Sequence, residues 1–176
     1  MHNPHGDPMK KNALFIAGLL LLASCGSQVP QNQSPENTGV AAQGYNQCAS
    51  QWVPSGSVVT SYFYSAACGS GFTKNTYTIE NLSGLSSFNG ACSLSLPPSG
   101  WVITSYFYAS QCSTQNAGFE KNAYNLVNTA YNTQINGVCN ISSIPFNWSI
   151  TSSYYSSACA TQNSGFQSNT YNIRKN

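Results

Sequence analysis

The chain has 176 residues, only 6% of them charged, with a formal net charge of +2. Both histidines, His2 and His5, and the only aspartate, Asp7, lie in the first eight residues. No basic stripe is present to displace counterions from phosphates, so nucleic acid is excluded as a partner. The length leaves room for one ordinary domain behind a short leader.

Residues 1–8 put polar sequence ahead of a well-formed leader and read as lying upstream of a mis-assigned start. From Met9, Lys10 and Lys11 precede an apolar run from Ala13 to Ala23. This is the n-region and h-region pattern of a secretory signal, assigned to residues 9–24. The run is too short to persist as a spanning helix. It closes on Leu22-Ala23-Ser24-Cys25, which resembles the lipobox of bacterial lipoprotein precursors. The resemblance covers Met9 to Cys25. It implies cleavage after Ser24, acylation of the Cys25 thiol, and a cell-envelope protein whose membrane partner is reached through its N-terminal lipid. Gly26 is not the acidic residue that marks inner-membrane retention in that family, which implies the outer membrane in a Gram-negative host. An ordinary signal peptide would instead leave Cys25 as one odd thiol beside six cysteines that pair.

Residues 25–39 comprise this cysteine and a stretch rich in Gln, Asn, Ser and Pro without apolar periodicity. Such a composition cannot bury enough surface to offset its chain entropy, and it predicts a flexible linker. The domain is assigned to residues 40–176. Its many Tyr, Thr, Ser and Asn residues, broken by Gly and Pro, predict an all-β fold.

Three copies of a twelve-residue stretch organise that domain: SVVTSYFYSAAC (57–68), WVITSYFYASQC (101–112) and WSITSSYYSSAC (148–159). Each final cysteine has a partner twenty residues upstream, which predicts Cys48–Cys68, Cys92–Cys112 and Cys139–Cys159. The repeats are bounded at 45–90, 91–137 and 138–176. Each stretch alternates as a strand does. The face with Val59, Ile103 and Ile150, then Phe63, Phe107 and Tyr154, is assigned to the core. The face with Val58, Val102 and Ser149 is the wetter one, and the cysteines fall in phase with it unless a bulge intervenes.

Ahead of the long strands stand Pro54-Ser55-Gly56, Pro97-Pro98-Ser99-Gly100 and Pro145-Phe146-Asn147, read as turns with proline at the first corner and positive φ at the next. A short strand beginning at each upstream cysteine is expected to turn there and pair with the long strand. A Gly-Phe corner and a third strand follow, near Asn75–Ile79 and its equivalents. Phe88-Asn89-Gly90-Ala91 and Ile135-Asn136-Gly137-Val138 carry the Asn-Gly hairpin signal. They predict a fourth strand, near Leu85–Phe88 and Tyr131–Ile135, paired to the next repeat.

Four short strands repeated three times resemble the β-trefoil, a layout shared by ricin-type lectins, whose Gln-x-Trp signature is absent here. A closed three-fold arrangement needs Val40–Gly44 to supply the strand that repeat 3 lacks. Three small consecutive β-meanders are the alternative.

From Cys25 onward there is no histidine or aspartate, and the domain's acids are Glu80 and Glu120. Triads, thiol catalysis and His/Cys metal sites have no residues to build them. The two glutamates occupy non-equivalent repeat positions, so a carboxylate pair is not expected. The reading is a non-enzyme without cofactor or metal. Sugars are held by aromatic faces with neutral hydrogen-bonding groups, and the domain is rich in both. Candidate ligand residues are Gln115, Asn116, Gln162 and Asn163 in the two Thr-Gln-Asn loops, and the row Tyr64, Tyr108 and Tyr155. Phe72, Phe119 and Phe166 are expected to pack beneath these corners. The alternative is a structural or protein-interaction envelope lipoprotein, an adhesin or assembly partner.

Overall fold

A computed structural model describes residues 44–114, 118–161 and 166–176. The leader, Cys25, the linker and residues 40–43 of the expected closing strand lie outside these. Gly44 precedes the first strand and is not part of it.

Among the described residues, nine strands form three separate three-stranded antiparallel sheets. They are β1 (Tyr45–Cys48), β2 (Ser57–Phe63) and β3 (Thr76–Asn81); β4 (Ser87–Cys92), β5 (Trp101–Phe107) and β6 (Ala123–Asn128); and β7 (Gln134–Cys139), β8 (Trp148–Tyr154) and β9 (Thr170–Lys175). The sheets do not close into a trefoil; three consecutive small sheets are what the chain forms. The three predicted disulfides are present, each linking cysteines 20 positions apart.

Within each sheet the order is first–third–second, so the third strand is central and the first two run parallel without pairing. The expected hairpin between the first and long strands is therefore absent. The turn chemistry explains why. Proline occupies the first turn position, its carbonyl accepting from Ser57, Trp101 and Trp148 at 3.1, 3.1 and 3.2 Å. Positive φ falls only at the third position: Gly56 (77°), Gly100 (81°) and Asn147 (65°). One positive φ there makes an open corner, whereas a tight two-residue hairpin takes a primed turn. The third strand pins the corner instead, since Leu82, Thr129 and Asn176 donate to the carbonyls of Gly56, Gly100 and Asn147 at 2.9, 2.8 and 2.8 Å.

The Asn-Gly pairs are not hairpins either. Each lies inside one continuous strand, β4 or β7, as a bulge facing the central strand. A type I′ turn needs two positive φ values, and only Gly90 (84°) and Gly137 (81°) supply one. Each displaced glycine N–H donates to an asparagine side chain of the central strand, Asn125 at 3.1 Å and Asn172 at 3.2 Å. In the first repeat Thr78 holds that position, and Tyr45–Cys48 pairs residue for residue with no bulge. The expected fourth strand and the next repeat's first strand are thus a single element.

Successive repeats pack side by side: β2 lies against β4 and the 3₁₀ turn at 110–112, and β5 against β7 and the turn at 157–159. A bulge at Thr60, Thr104 and Thr151 interrupts the alternation of each long strand. Both faces before it are buried in the first two copies, correcting the assignment of Val58 and Val102 to a wet face. Val58 packs with Ala91, Trp101 and Leu126, and Val102 with Val138, Trp148 and Ile173. Val59 packs with the Cys92–Cys112 bridge, while Ile103 shares a cluster with Cys139 and Cys159. The outer backbone edge is covered too: Val59 and Ile103 donate to the hydroxyls of Ser95 and Ser142 in the next repeat, at 3.3 and 2.7 Å.

Among the described residues β8 has no such neighbour, and every residue in it after Trp148 is exposed. Ile150 is 48% exposed where Val59 and Ile103 are buried. Ser149 and Ser153 replace the valine and tyrosine of the other copies. A polar outer face of this kind terminates a repeat array.

Tyr124 lies in the core with its hydroxyl donating to the Ser95 carbonyl. Burial, opposed by the Ser95 side-chain hydroxyl and reinforced by Tyr106, pushes its pKa up to about 12 from 10.0. The unfolded phenol ionises first, so this contribution is intact below pH 10 and lost as pH rises toward 12. The loss should approach about 2–3 kcal/mol, since a tenfold difference in proton affinity is worth roughly 1.4 kcal/mol. Denaturant unfolding across that window measures it, and Tyr124→Phe should flatten the slope.

Candidate functional site

Tyr64, Tyr108 and Tyr155 follow the last residues of β2, β5 and β8 at one end of the sheets. Each faces a phenylalanine from the corner before the third strand. Ring centroids lie 6.4 Å apart in Tyr64–Phe72, 5.4 Å in Tyr108–Phe119 and 5.3 Å in Tyr155–Phe166. The phenylalanines do not pack beneath their corners: they are 94, 85 and 91% exposed, and the tyrosines are 40, 38 and 38% exposed. An asparagine just ahead of each third strand is bonded to the corner that carries the tyrosine.

That asparagine positions the pair. Asn75, Asn122 and Asn169 accept through Oδ1 from the backbone N–H of Ser65, Ala109 and Ser156, next to each tyrosine, at 2.9, 2.8 and 2.8 Å. Asn75 and Asn169 return a bond from Nδ2 to the carbonyls of Ser65 and Ser156 at 3.1 and 3.0 Å, while Asn122 donates to the Ser113 hydroxyl at 3.1 Å. Their own backbone N–H groups donate to the last long-strand residue, and their carbonyls accept from Ala49, Ser93 and Asn140. One residue per repeat therefore holds the ends of all three strands in place. Read from sequence, Asn75 is only the start of a strand; the signal for its role is its recurrence at one position in three copies.

Neighbouring pairs are tied by lysine. Lys74 Nζ donates to the Ser113 carbonyl at 2.5 Å, and Lys121 Nζ to the Ser157 carbonyl at 3.0 Å. Each therefore reaches the 3₁₀ corner of the following repeat. Repeat 3 has Ser168 at this position. Ser113 also donates to the Tyr108 hydroxyl at 3.3 Å. The candidate ligands Gln115, Asn116, Gln162 and Asn163 lie outside the described residues. Glu80 stands near the far end of β3 and Glu120 in the corner before β6, so the two carboxylates sit at opposite ends of different sheets.

A second feature lies toward the other end, where the loops 49–56, 93–100 and 140–147 lead into the long strands. Two grooves separate them. One, of about 400 Å³, is lined by Trp52, Val53, Pro54, Leu94, Leu96 and Pro98 among others. The next, of about 520 Å³, includes Leu96, Pro98, Ile141, Pro145 and Phe146. Trp52, Leu96 and Phe146 are 95, 88 and 91% exposed. The loops share their proline turn, but the apolar rim has no recurring signature in the sequence, because Trp52 and Leu96 precede that proline and Phe146 follows it. Comparison with protein-family models, curated proteins and solved structures gives no match.

Proposed function

We propose that the protein is a lipid-anchored envelope protein that binds neutral glycan chains without catalysis. The observation that supports this is the aromatic pair recurring at one position in all three repeats, solvent-facing and built on a rigid asparagine-clamped corner. Aromatic faces stack on the C–H faces of sugars, and amide and hydroxyl groups supply the neutral hydrogen bonds. The surrounding charges, Lys74, Lys121 and Glu120, leave a net charge of only +1, too weak a field to select an anionic polymer. Three weak sites on one array gain affinity for a chain that engages more than one of them.

A glycan-array screen of the protein identifies the ligand. Phe72, Phe119 and Phe166 changed together to Ser should weaken binding at least about tenfold, roughly 1.4 kcal/mol. Thermal stability should hardly move, because the three rings are already in water. Changing Asn116 and Asn163 to Ala tests the loop contribution separately. Binding that survives both sets of changes removes this end of the domain as the site.

A further inference from the structure

Ile79 pairs with both Tyr45 and Val59, and Thr76 with both Cys48 and Phe63. Gly44 and the Pro54–Gly56 turn therefore lie at one end of the first sheet, and Tyr64 lies at the opposite end. The described chain begins at the end that carries the grooves. From Cys25 to Gly44 the chain spans at most about 65 Å fully extended. A bilayer holding a Cys25 lipid is always within that reach.

The surface at this end suits a bilayer. None of the residues in 49–56, 93–100 and 140–147 is charged, whereas the opposite corners contain Lys74, Glu120 and Lys121. The two grooves share Leu96 and Pro98, so Trp52, Leu96 and Phe146 rim one continuous apolar surface. Contiguous exposed apolar surface of this kind marks an interaction site. Tryptophan and phenylalanine are residues of the membrane interface. Arg174 and Lys175 of β9 pair with Ser149 and Trp148 at the same end and are exposed, in reach of headgroup phosphates, with Glu80 the one acid on the central strands there.

We propose that this face docks on the bilayer: Trp52, Leu96 and Phe146 insert at the interfacial level, and the Tyr–Phe pairs point away from the membrane. The proposal rests on the reading of Cys25 as the lipidated residue, since that tether makes the bilayer the occupant. Docking adds orientation to an anchor that already holds the protein at the membrane.

The test uses the mature protein in vesicles of phosphatidylethanolamine and phosphatidylglycerol carrying a nitroxide-labelled lipid. Trp101 and Trp148 are buried, so lipid-borne quenching of tryptophan fluorescence reports on Trp52. We expect quenching that disappears in Trp52→Phe and falls by at least half in Leu96→Ser/Phe146→Ser while the protein stays on the vesicles. Mass analysis of the N-terminal peptide is made on the same sample. An acylated Cys25 with an unquenched Trp52 overturns docking and leaves the anchor standing. An unmodified Cys25 on protein that leaves the vesicles overturns both. Trp52 shielded from an aqueous quencher yet untouched by the lipid one assigns the face to a protein partner and also overturns docking.

Discussion

Replacing Cys139 and Cys159 together by alanine should destabilise the domain by about 3–5 kcal/mol, more than the same change at Cys48 and Cys68. Closing a loop of this size is worth roughly 3 kcal/mol in chain entropy, and that part is common to all three bridges. What differs is packing. Cys139 and Cys159 are 0 and 2% exposed and sit in a cluster with Ile103 of the preceding repeat. Removing their sulfurs leaves a cavity at the junction, which adds to the transfer loss. Cys48 and Cys68 are only partly buried and belong to none of the core clusters. Denaturant unfolding of the two double variants measures the difference. Equal losses would show that packing between repeats adds nothing to the bridges.

Asn169→Ala should cost about 2–4 kcal/mol, from roughly 1–3 kcal/mol for each buried group left without a partner. Asn169 is 4% exposed, and its Oδ1 accepts from the Ser156 N–H and from the Thr170 hydroxyl, both at 2.8 Å. Thr170 is itself fully buried. Alanine removes both acceptor bonds and the return bond to the Ser156 carbonyl. Hydrogen exchange should accelerate at Ser156 before it does at β9, since the corner loosens first. A loss below about 1 kcal/mol would mean that the backbone ladder alone holds the corner. The exposed Phe166 next to this corner is the control: its alanine variant should be nearly neutral, as surface changes are.

The covalent frame and the long strands were legible because they recur. Equal cysteine spacing fixed the bridges, and alternation around Val59 and Ile103 marked the core. Pairing was not legible, for two reasons. Asn-Gly is a local signal with two outcomes, and the asparagine at 125 or 172 that turns it into a bulge lies some thirty-five positions away. The first–third–second order depends on which edge of the central strand the first strand takes, and that edge is chosen by tertiary packing. The serines of the third copy looked like evidence for a wet face along every long strand. They record instead that β8 ends the array, as Ile150 and Ser168 show in their own positions. For the aromatic site, the tyrosine row was visible and its phenylalanine partners were misplaced. A sequence shows an aromatic ring, but burial depends on what already fills the space below it.

The bridges also set how the domain bears mechanical load. A pull on the N-terminal side meets β1 first, and peeling its four residues from β3 releases only about 14 Å of chain. The force then crosses the sulfurs from Cys48 to Cys68, bypassing the long strand. The same shortcut recurs at Cys92–Cys112 and Cys139–Cys159, so each bridge withholds about 65 Å of contour from the stretching chain. Under oxidising conditions β2, β5 and β8 are therefore out of the line of tension, and the tyrosines that follow them are shielded with them. Reduction would put that hidden length under load.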